Sequence, residues 1–126
     1  GRVARAHNTS ATYRLERGEA WFEAQMDEGA GVAETARAVG TSVRHLSRLS
    51  GERRGVSFGR VLHGRRMARA SWMLRESEQP VFEIAAACGY GNQSAFARAV
   101  HRYYNRTPRE LRDEVARHRQ ARDESD

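Results

Sequence analysis

The chain has no lysine, one cysteine and two prolines among its 126 residues. A single cysteine, Cys88, excludes an internal disulfide and a zinc site built from several cysteines, and it is typical of a reducing cytoplasm. No apolar run is long enough to cross a bilayer, so we expect no membrane partner. No stretch alternates with period two for long enough to predict a strand. The sequence therefore predicts an all-α protein held together by packing alone.

Catalytic and metal-binding chemistry has little support in the sequence. The five histidines are scattered without the short spacings of a metal ligand set: His7, His45, His63, His101 and His118. Cys88 lies on the apolar side of its predicted helix, which favours a buried structural thiol over a nucleophile or redox sensor. We therefore expect no enzymatic activity, no metal and no cofactor.

The basic residues, all of them arginine, are unevenly distributed. Residues 15–40 hold six acids and two arginines, a net charge of −4, whereas residues 41–75 hold nine arginines and one glutamate, a net charge of +8. Residues 89–112 add five arginines against one glutamate, a net charge of +4. This segregation is typical of a face that binds a polyanion, although a solvated basic surface explains the charge alone equally well.

Two parts of the sequence match each other. Each has an alanine four residues before a glycine, then a helix-capping residue, an apolar residue four positions after the cap and an arginine six positions after it. In the first part these are Ala36, Gly40, Ser42, Leu46 and Arg48, and in the second Ala85, Gly89, Asn92, Phe96 and Arg98. A short helix, a glycine-containing turn and a second helix are typical of a helix-turn-helix, here present twice.

This repeat divides the chain into five predicted segments. They are a linker or tail over 1–14, a first helix-turn-helix subdomain over 15–56, a long connecting helix over 57–77, a second helix-turn-helix subdomain over 78–116 and a charged tail over 117–126. The second helix of each unit, about 42–50 and 92–104, is predicted to enter successive major grooves of double-stranded DNA. The first of these helices is expected to end at Gly51.

Helical geometry selects the candidate DNA-binding residues. With position +4 in the core, positions +1, +2, +5 and +6 lie toward the other face, and these residue types suit base edges in a major groove. The candidates for base contacts are Val43, Arg44, Ser47, Arg48, Gln93, Ser94, Ala97 and Arg98. The candidates for phosphate contacts are Ser42, Arg65, Asn92 and Arg102. For Arg44, Arg48 and Arg98, phosphate contact or plain solvation stays open as the alternative to base contact.

Residues 32 to about 112 resemble the DNA-binding domain of the AraC/XylS family of bacterial transcription regulators. The resemblance rests on the stretches 40–49 and 55–58, on Arg66 with Ala70 and Leu74, and above all on 84–90 continuing through Gln93, Phe96 and Arg98 to Thr107 and Pro108. It implies two helix-turn-helix units joined by a long helix, each placing its second helix in a major groove. It also implies a bacterial cytoplasmic protein located at the nucleoid.

The sequence departs from the family pattern at three positions. Ser50 and Val100 stand where the family usually has aromatic residues, so we expect Trp72, Tyr103 or a bulkier neighbour to fill the lost core volume. Asn105 replaces a customary glycine, a mild change because asparagine also accepts a left-handed turn. The aromatic residues expected in the core are Trp21, Phe22, Trp72 and Phe96.

A protein-interaction module is the alternative function, with a basic face that attracts DNA only non-specifically. Its support is the acidic leading helix with Glu16, Glu19, Glu23, Asp27 and Glu28, which suits RNA polymerase or another domain as partner. A solvated helix face that its own charge keeps away from DNA explains the same acids. Because the chain begins with Gly1 and not with methionine, we expect it to be a piece of a longer protein. The resemblance to the AraC/XylS family implies that the missing portion is an effector-binding or dimerisation domain.

Overall fold

The computed structural model describes residues 2–125, with side chains over 10–114 and 116–124. Its α-helices are α1 Arg2–Gln25, α2 Val32–Ala38, α3 Val43–Arg54, α4 Phe58–Glu76, α5 Val81–Ala87, α6 Gln93–Tyr104 and α7 Pro108–Ser125, and a 3-10 turn covers Met26–Glu28. No strand occurs between residues 2 and 125. The predicted all-α class is confirmed.

Local chemistry sets most of the helix ends. The α2 and α5 helices end at glycines with positive φ, 72° at Gly40 and 88° at Gly89, a backbone conformation that favours glycine. Asn105 ends α6 with φ of 56°, which confirms that asparagine takes the left-handed turn there. Thr107 and Glu110 cap α7 reciprocally, because each side chain accepts a hydrogen bond from the other residue's backbone N–H at 3.1 Å.

Three helices run further than the sequence predicts. The α1 helix begins at Arg2 and not at Leu15, because the small polar segment over 1–14 contains alanine and arginine and lacks any proline or glycine after its first residue. The α3 helix continues through Gly51, beside which a side chain would meet nothing within 4 Å, and ends at Gly55 with φ of 77°. The α7 helix includes the predicted charged tail as far as Ser125. Gly1 and Asp126, which belong to these predicted terminal segments, lie outside the described residues.

The chain forms two compact units, one up to Arg65 and one from Arg66. The core of the first unit comes from α1, the 3-10 turn, α2, α3 and the start of α4: Leu15, Phe22, Met26, Ala36, Leu46, Leu49, Phe58 and Leu62. The core of the second comes from the rest of α4 with α5, α6 and α7: Met67, Ala70, Leu74, Ile84, Ala85, Cys88, Phe96, Val100 and Leu111. One uninterrupted helix, α4, thus supplies side chains to both cores, as the predicted connecting helix requires.

The expectation that Trp72 or Tyr103 fills the lost core volume is wrong. Trp72 and Tyr103 have 64% and 51% of their surface exposed, so neither fills the space beside Ser50 or Val100. Trp72 lies two residues from both Ala70 and Leu74, which places it on the opposite side of α4 from these buried residues. Ser50 is fully buried and its hydroxyl donates to the Val56 carbonyl at 2.7 Å, so a hydrogen bond holds the end of α3 to the following loop.

The other buried positions follow the sequence prediction in part. Phe22 and Phe96 are fully buried in their cores, whereas Trp21 is only half-buried. Cys88 is buried as predicted, and burial raises the pKa of its thiol to about 11. Within the described helices, none is long and apolar enough to span a membrane.

Candidate nucleic-acid interface

The helix pairs α2–α3 and α5–α6 have the same backbone pattern at their turns. In the first pair the N–H of Thr41 donates to the Ala36 carbonyl at 2.9 Å, and in the second the N–H of Tyr90 donates to the Ala85 carbonyl at 2.9 Å. A second hydrogen bond, from Gly40 or Gly89 to the carbonyl three residues earlier, completes the glycine-ended helix stop in both pairs. The sequence repeat is therefore a structural repeat, although the turn of the second pair is one residue longer before the cap.

The predicted phosphate contacts Ser42 and Asn92 are the N-caps of α3 and α6. Ser42 Oγ accepts from the N–H of His45 at 3.0 Å, and Asn92 Oδ1 accepts from the N–H of Ala95 at 2.8 Å. Capping uses only an acceptor atom of each side chain, so the serine hydroxyl proton and the asparagine amide group stay available as donors. Both residues are exposed, as a phosphate contact requires.

The candidate base-contacting residues lie on the open side of α3 and α6. Leu46 and Phe96, at position +4, are fully buried. Six of the eight candidates are exposed: Val43, Arg44, Arg48, Gln93, Ser94 and Arg98. The other two, Ser47 and Ala97, are half-buried at the edge of that face. Each helix thus presents polar and small side chains opposite its core contact.

Arg48 of α3 is held by two neighbours on its own helix. Its Nη2 donates to Nδ1 of His45 at 3.0 Å, and its Nη1 donates to Oε1 of Glu52 at 3.4 Å. Arginine has no acceptor, so His45 Nδ1 carries no proton in this arrangement. Both partners lie about one turn from Arg48, one toward each end of the helix.

Arg98 occupies the matching position of α6 without such partners. The residue three positions before it is Ala95, which has no acceptor side chain, and the residue four positions after it is Arg102, which carries the same charge. Neither Arg98 nor Arg102 makes a hydrogen bond or ion pair with any side chain that the structure describes. Both guanidinium groups are exposed and available to an external anion.

Two of the arginines in the strongly basic segment are paired with α1. Glu19 is 5% exposed, and its carboxylate accepts from Arg54 at 3.4 Å and from Arg65 Nη2 at 3.3 Å. Arg65 Nη1 also donates to Glu23 at 3.1 Å. The predicted phosphate contact of Arg65 must therefore compete with two carboxylates of the same unit.

Three further arginines close helix ends inside the second unit. Arg66 Nη1 donates to the Cys88 carbonyl, and Arg69 Nη1 donates to the Ala87 carbonyl at 3.1 Å, where α5 ends. Arg112 donates to the carbonyls of Leu74 and Ser77 at 3.1 and 3.2 Å, where α4 ends. Burial lowers the pKa of Arg66 from its usual value. These arginines satisfy last-turn carbonyls, so a count of basic residues overestimates the charge available to a polyanion.

The site holds no arrangement suited to a metal. Among the side chains described, those of residues 10–114 and 116–124, the structure brings together no group of three or more histidine, cysteine, aspartate or glutamate residues that could hold an ion. What the arrangement offers instead is hydrogen-bond donors, a set suited to phosphate and to base edges.

Residues 35–114 match a family model described as a helix-turn-helix domain. The regulatory protein SoxS of Escherichia coli is 31% identical over 93 residues, which cover 74% of this chain and 87% of SoxS. A solved structure of an AraC-type transcriptional regulator from Chromobacterium violaceum superposes with a TM-score of 0.75 at 27% identity, covering 86% of this chain and 96% of that chain. The DNA-binding domain of AdpA, solved with a target DNA, has the same fold at a TM-score of 0.76, with 24% identity over 84% of this chain and 96% of that chain.

Proposed function

This chain belongs to the AraC-type helix-turn-helix family of DNA-binding transcription regulators, and from that premise we propose how it contacts DNA. The α3 and α6 helices enter successive major grooves of one duplex, each with its exposed face toward the bases. The observation that carries this proposal is the repeated geometry of the two helix pairs. In each pair the residue four positions after the cap is buried. Exposed hydrogen-bond donors lie two and six positions after the cap in α3, and one, two and six positions after the cap in α6.

The residue roles follow from exposure and hydrogen-bonding capacity. Arginine pairs with guanine O6 and N7, glutamine pairs with adenine, and small or apolar side chains contact the thymine methyl group. Base contacts come from Val43, Arg44, Ser47, Arg48, Gln93, Ser94, Ala97 and Arg98. Phosphate contacts come from Ser42, Asn92 and Arg102, and from Arg65 where phosphate displaces Glu19 and Glu23.

The wider setting of this domain is part of the proposal. It acts in the bacterial cytoplasm, at the nucleoid, within a longer protein that supplies an effector-binding or dimerisation domain, and RNA polymerase is its protein partner. It carries no catalytic activity of its own. The support is the family membership, since the related proteins named above are described as regulators.

Selection from a random duplex pool tests sequence-specific binding directly. The 126-residue chain is expected to enrich one sequence. The logarithm of its binding constant should fall linearly with the logarithm of the salt concentration, with a slope of about −0.9 for each phosphate contacted. R48A combined with R98A should abolish the enrichment, whereas R117A combined with R122A, an equal loss of charge on the exposed surface of α7, should retain it. Absence of any enriched sequence together with a flat salt dependence would contradict the proposal.

Insertion of DNA between the two half-elements tests the use of successive grooves. Five added base pairs, about half a turn, rotate one half-element to the opposite side of the duplex. The footprint of the chain should then shrink to one half-element and the affinity should fall. Protection of both half-elements with unchanged affinity would show that the two units do not bind together.

A further inference from the structure

We propose that His45 and Glu52 are positioning residues that determine DNA specificity by fixing the guanidinium of Arg48. This inference rests on the proposed function, because it assigns the two residues to base recognition by α3. It also makes the first unit the more selective of the two units.

The geometry restrains Arg48 at both terminal nitrogens. His45 Nδ1 holds Nη2 at 3.0 Å and Glu52 Oε1 holds Nη1 at 3.4 Å, from opposite directions along α3. A guanidinium has five N–H donors, so three stay free after these two hydrogen bonds. The side chain is thus oriented while it keeps enough donors for a two-hydrogen-bond contact with guanine.

Folding stability does not account for this arrangement. The Arg48–Glu52 pair is exposed, with 59% and 52% of the two side chains accessible, and such pairs contribute little to stability. Their effect on binding is larger, because a long arginine side chain that is already oriented loses less conformational freedom when it meets a base. The orientation of the Arg48 guanidinium therefore favours the one base pair whose acceptor atoms lie opposite its free N–H groups.

Glu52 adds a penalty against non-specific contact. If Arg48 turned toward a phosphate, the Glu52 carboxylate would stay unpaired beside the negatively charged backbone. A guanine at the matching position leaves the pair intact. Glu52 therefore weakens binding to unrelated DNA more than binding to the preferred sequence.

The second unit lacks both restraints at the equivalent positions. Ala95 corresponds to His45 and Arg102 corresponds to Glu52, counted from the respective caps. Arg98 has no described acceptor to orient it and a like charge one turn away, so it can contact phosphate or base. This difference within one chain is what assigns specificity to the His45–Arg48–Glu52 cluster and not to recognition arginines in general.

The test compares the affinity of the 126-residue chain for its selected duplex with that for an unrelated duplex at one salt concentration. E52Q should raise affinity for the unrelated duplex and lower the ratio of the two affinities about threefold to tenfold. H45A should lower the ratio too, whereas H45N should restore it, because the asparagine oxygen lies where Nδ1 accepts. E78Q, an exposed acid between α4 and α5, is the matched control and should leave the ratio unchanged.

The outcomes separate this inference from the proposed function. Sequence-specific binding that R48A flattens but E52Q and H45A leave untouched overturns the positioning role alone. Equal ratios for H45A and H45N also overturn it, since they would show that the acceptor atom has no part. Absence of any selected sequence for the unmodified chain overturns the proposed function. Thermal unfolding of each variant verifies that the fold is kept.

Discussion

In the first unit Arg48 lies between His45 and Glu52, whereas in the second unit Arg98 lies between Ala95 and Arg102. The backbone around the two arginines is the same, with matching glycine-ended helix stops and matching N-caps. Apart from the turn of the second pair, which is one residue longer before the cap, the difference around the two arginines lies in the side chains one turn away. A duplicated backbone can carry one fixed and one adaptable recognition arginine, which suits a DNA site with two unlike half-elements.

The largest expected effect comes from removing each arginine in turn. R48A should cost about 1–3 kcal/mol on the preferred duplex and flatten the preference at one base pair, because a bidentate guanine contact is lost. R98A should also lower affinity for the preferred duplex but should flatten the preference at its base pair less than R48A does, because the Arg98 side chain has no fixed orientation. Binding measured against a set of single base-pair variants of the selected site distinguishes the two results.

An equal and base-specific loss in both variants would contradict this asymmetry. It would show that the surroundings of the two arginines do not affect their use. R44A, also on α3 and without a described partner, serves as the comparison within the first unit.

The next effect concerns the groups that accept hydrogen bonds from arginine side chains inside each unit. The first unit relies on the carboxylate of Glu19 between Arg54 and Arg65, whereas the second relies on carbonyls at the ends of α4 and α5. E19Q should lower the free energy of unfolding by about 1–2 kcal/mol, because a charged acceptor is lost to two arginines that stay partly exposed to water. Chemical denaturation measures this change.

E16Q on the exposed side of α1 is the control for E19Q and should unfold like the unmodified chain. High salt should narrow the gap between E19Q and the unmodified chain, because salt screens ion pairs more than hydrogen bonds to carbonyls. A gap that salt leaves unchanged would contradict this expectation and would show that the buried Glu19 carboxylate is shielded from salt.

An effect no larger than that of E19Q separates two helical glycines of the first unit. A Cβ at Gly18 would lie 3.2 Å from the Phe58 ring and 3.3 Å from Thr35 Cγ2, whereas a Cβ at Gly51 would meet nothing within 4 Å. G18A should therefore lower stability by about 1–2 kcal/mol through overpacking, and G51A should raise it by up to about 1 kcal/mol through helix propensity. Thermal unfolding measures both, and stabilisation by G18A would show that Phe58 shifts at little cost.

Local patterns in the sequence predicted most of the fold. The caps Ser42 and Asn92, the glycine turns and the paired helix-turn-helix units depend on residues within a few positions of each other, and all were found. The exposure of Trp72 also followed from local spacing, since it lies between Ala70 and Leu74, but its size suggested burial. Residues 2–14 likewise include residues that favour a helix, but the small and polar side chains among them indicated a linker or tail.

Long-range pairing could not be predicted from charge alone. The partners of Arg65 in α1 lie more than 40 positions earlier in the chain, and the carbonyls that Arg112 holds lie more than 30 positions earlier. No local pattern distinguishes these arginines from Arg44 or Arg98. The candidate interface is therefore smaller and less basic than the segment charges of +8 and +4 suggest.

The smallest expected effect comes from building the first unit's restraint into the second. R102E places a carboxylate four residues after Arg98, in the same order along the helix as Arg48 and Glu52. R102E should lower affinity for every duplex, because a proposed phosphate contact becomes a negative charge. It should also sharpen the preference at the Arg98 base pair about twofold, which is what an exposed helix ion pair of about 0.3–0.5 kcal/mol allows.

R102A, which loses the phosphate contact without supplying an acceptor, is the control for the loss of affinity. The ratio of affinities for the preferred and substituted base pair separates the two variants. If that ratio is the same in R102E and R102A, an acceptor one turn away does not orient a recognition arginine in this fold, and the difference between the two units has another cause.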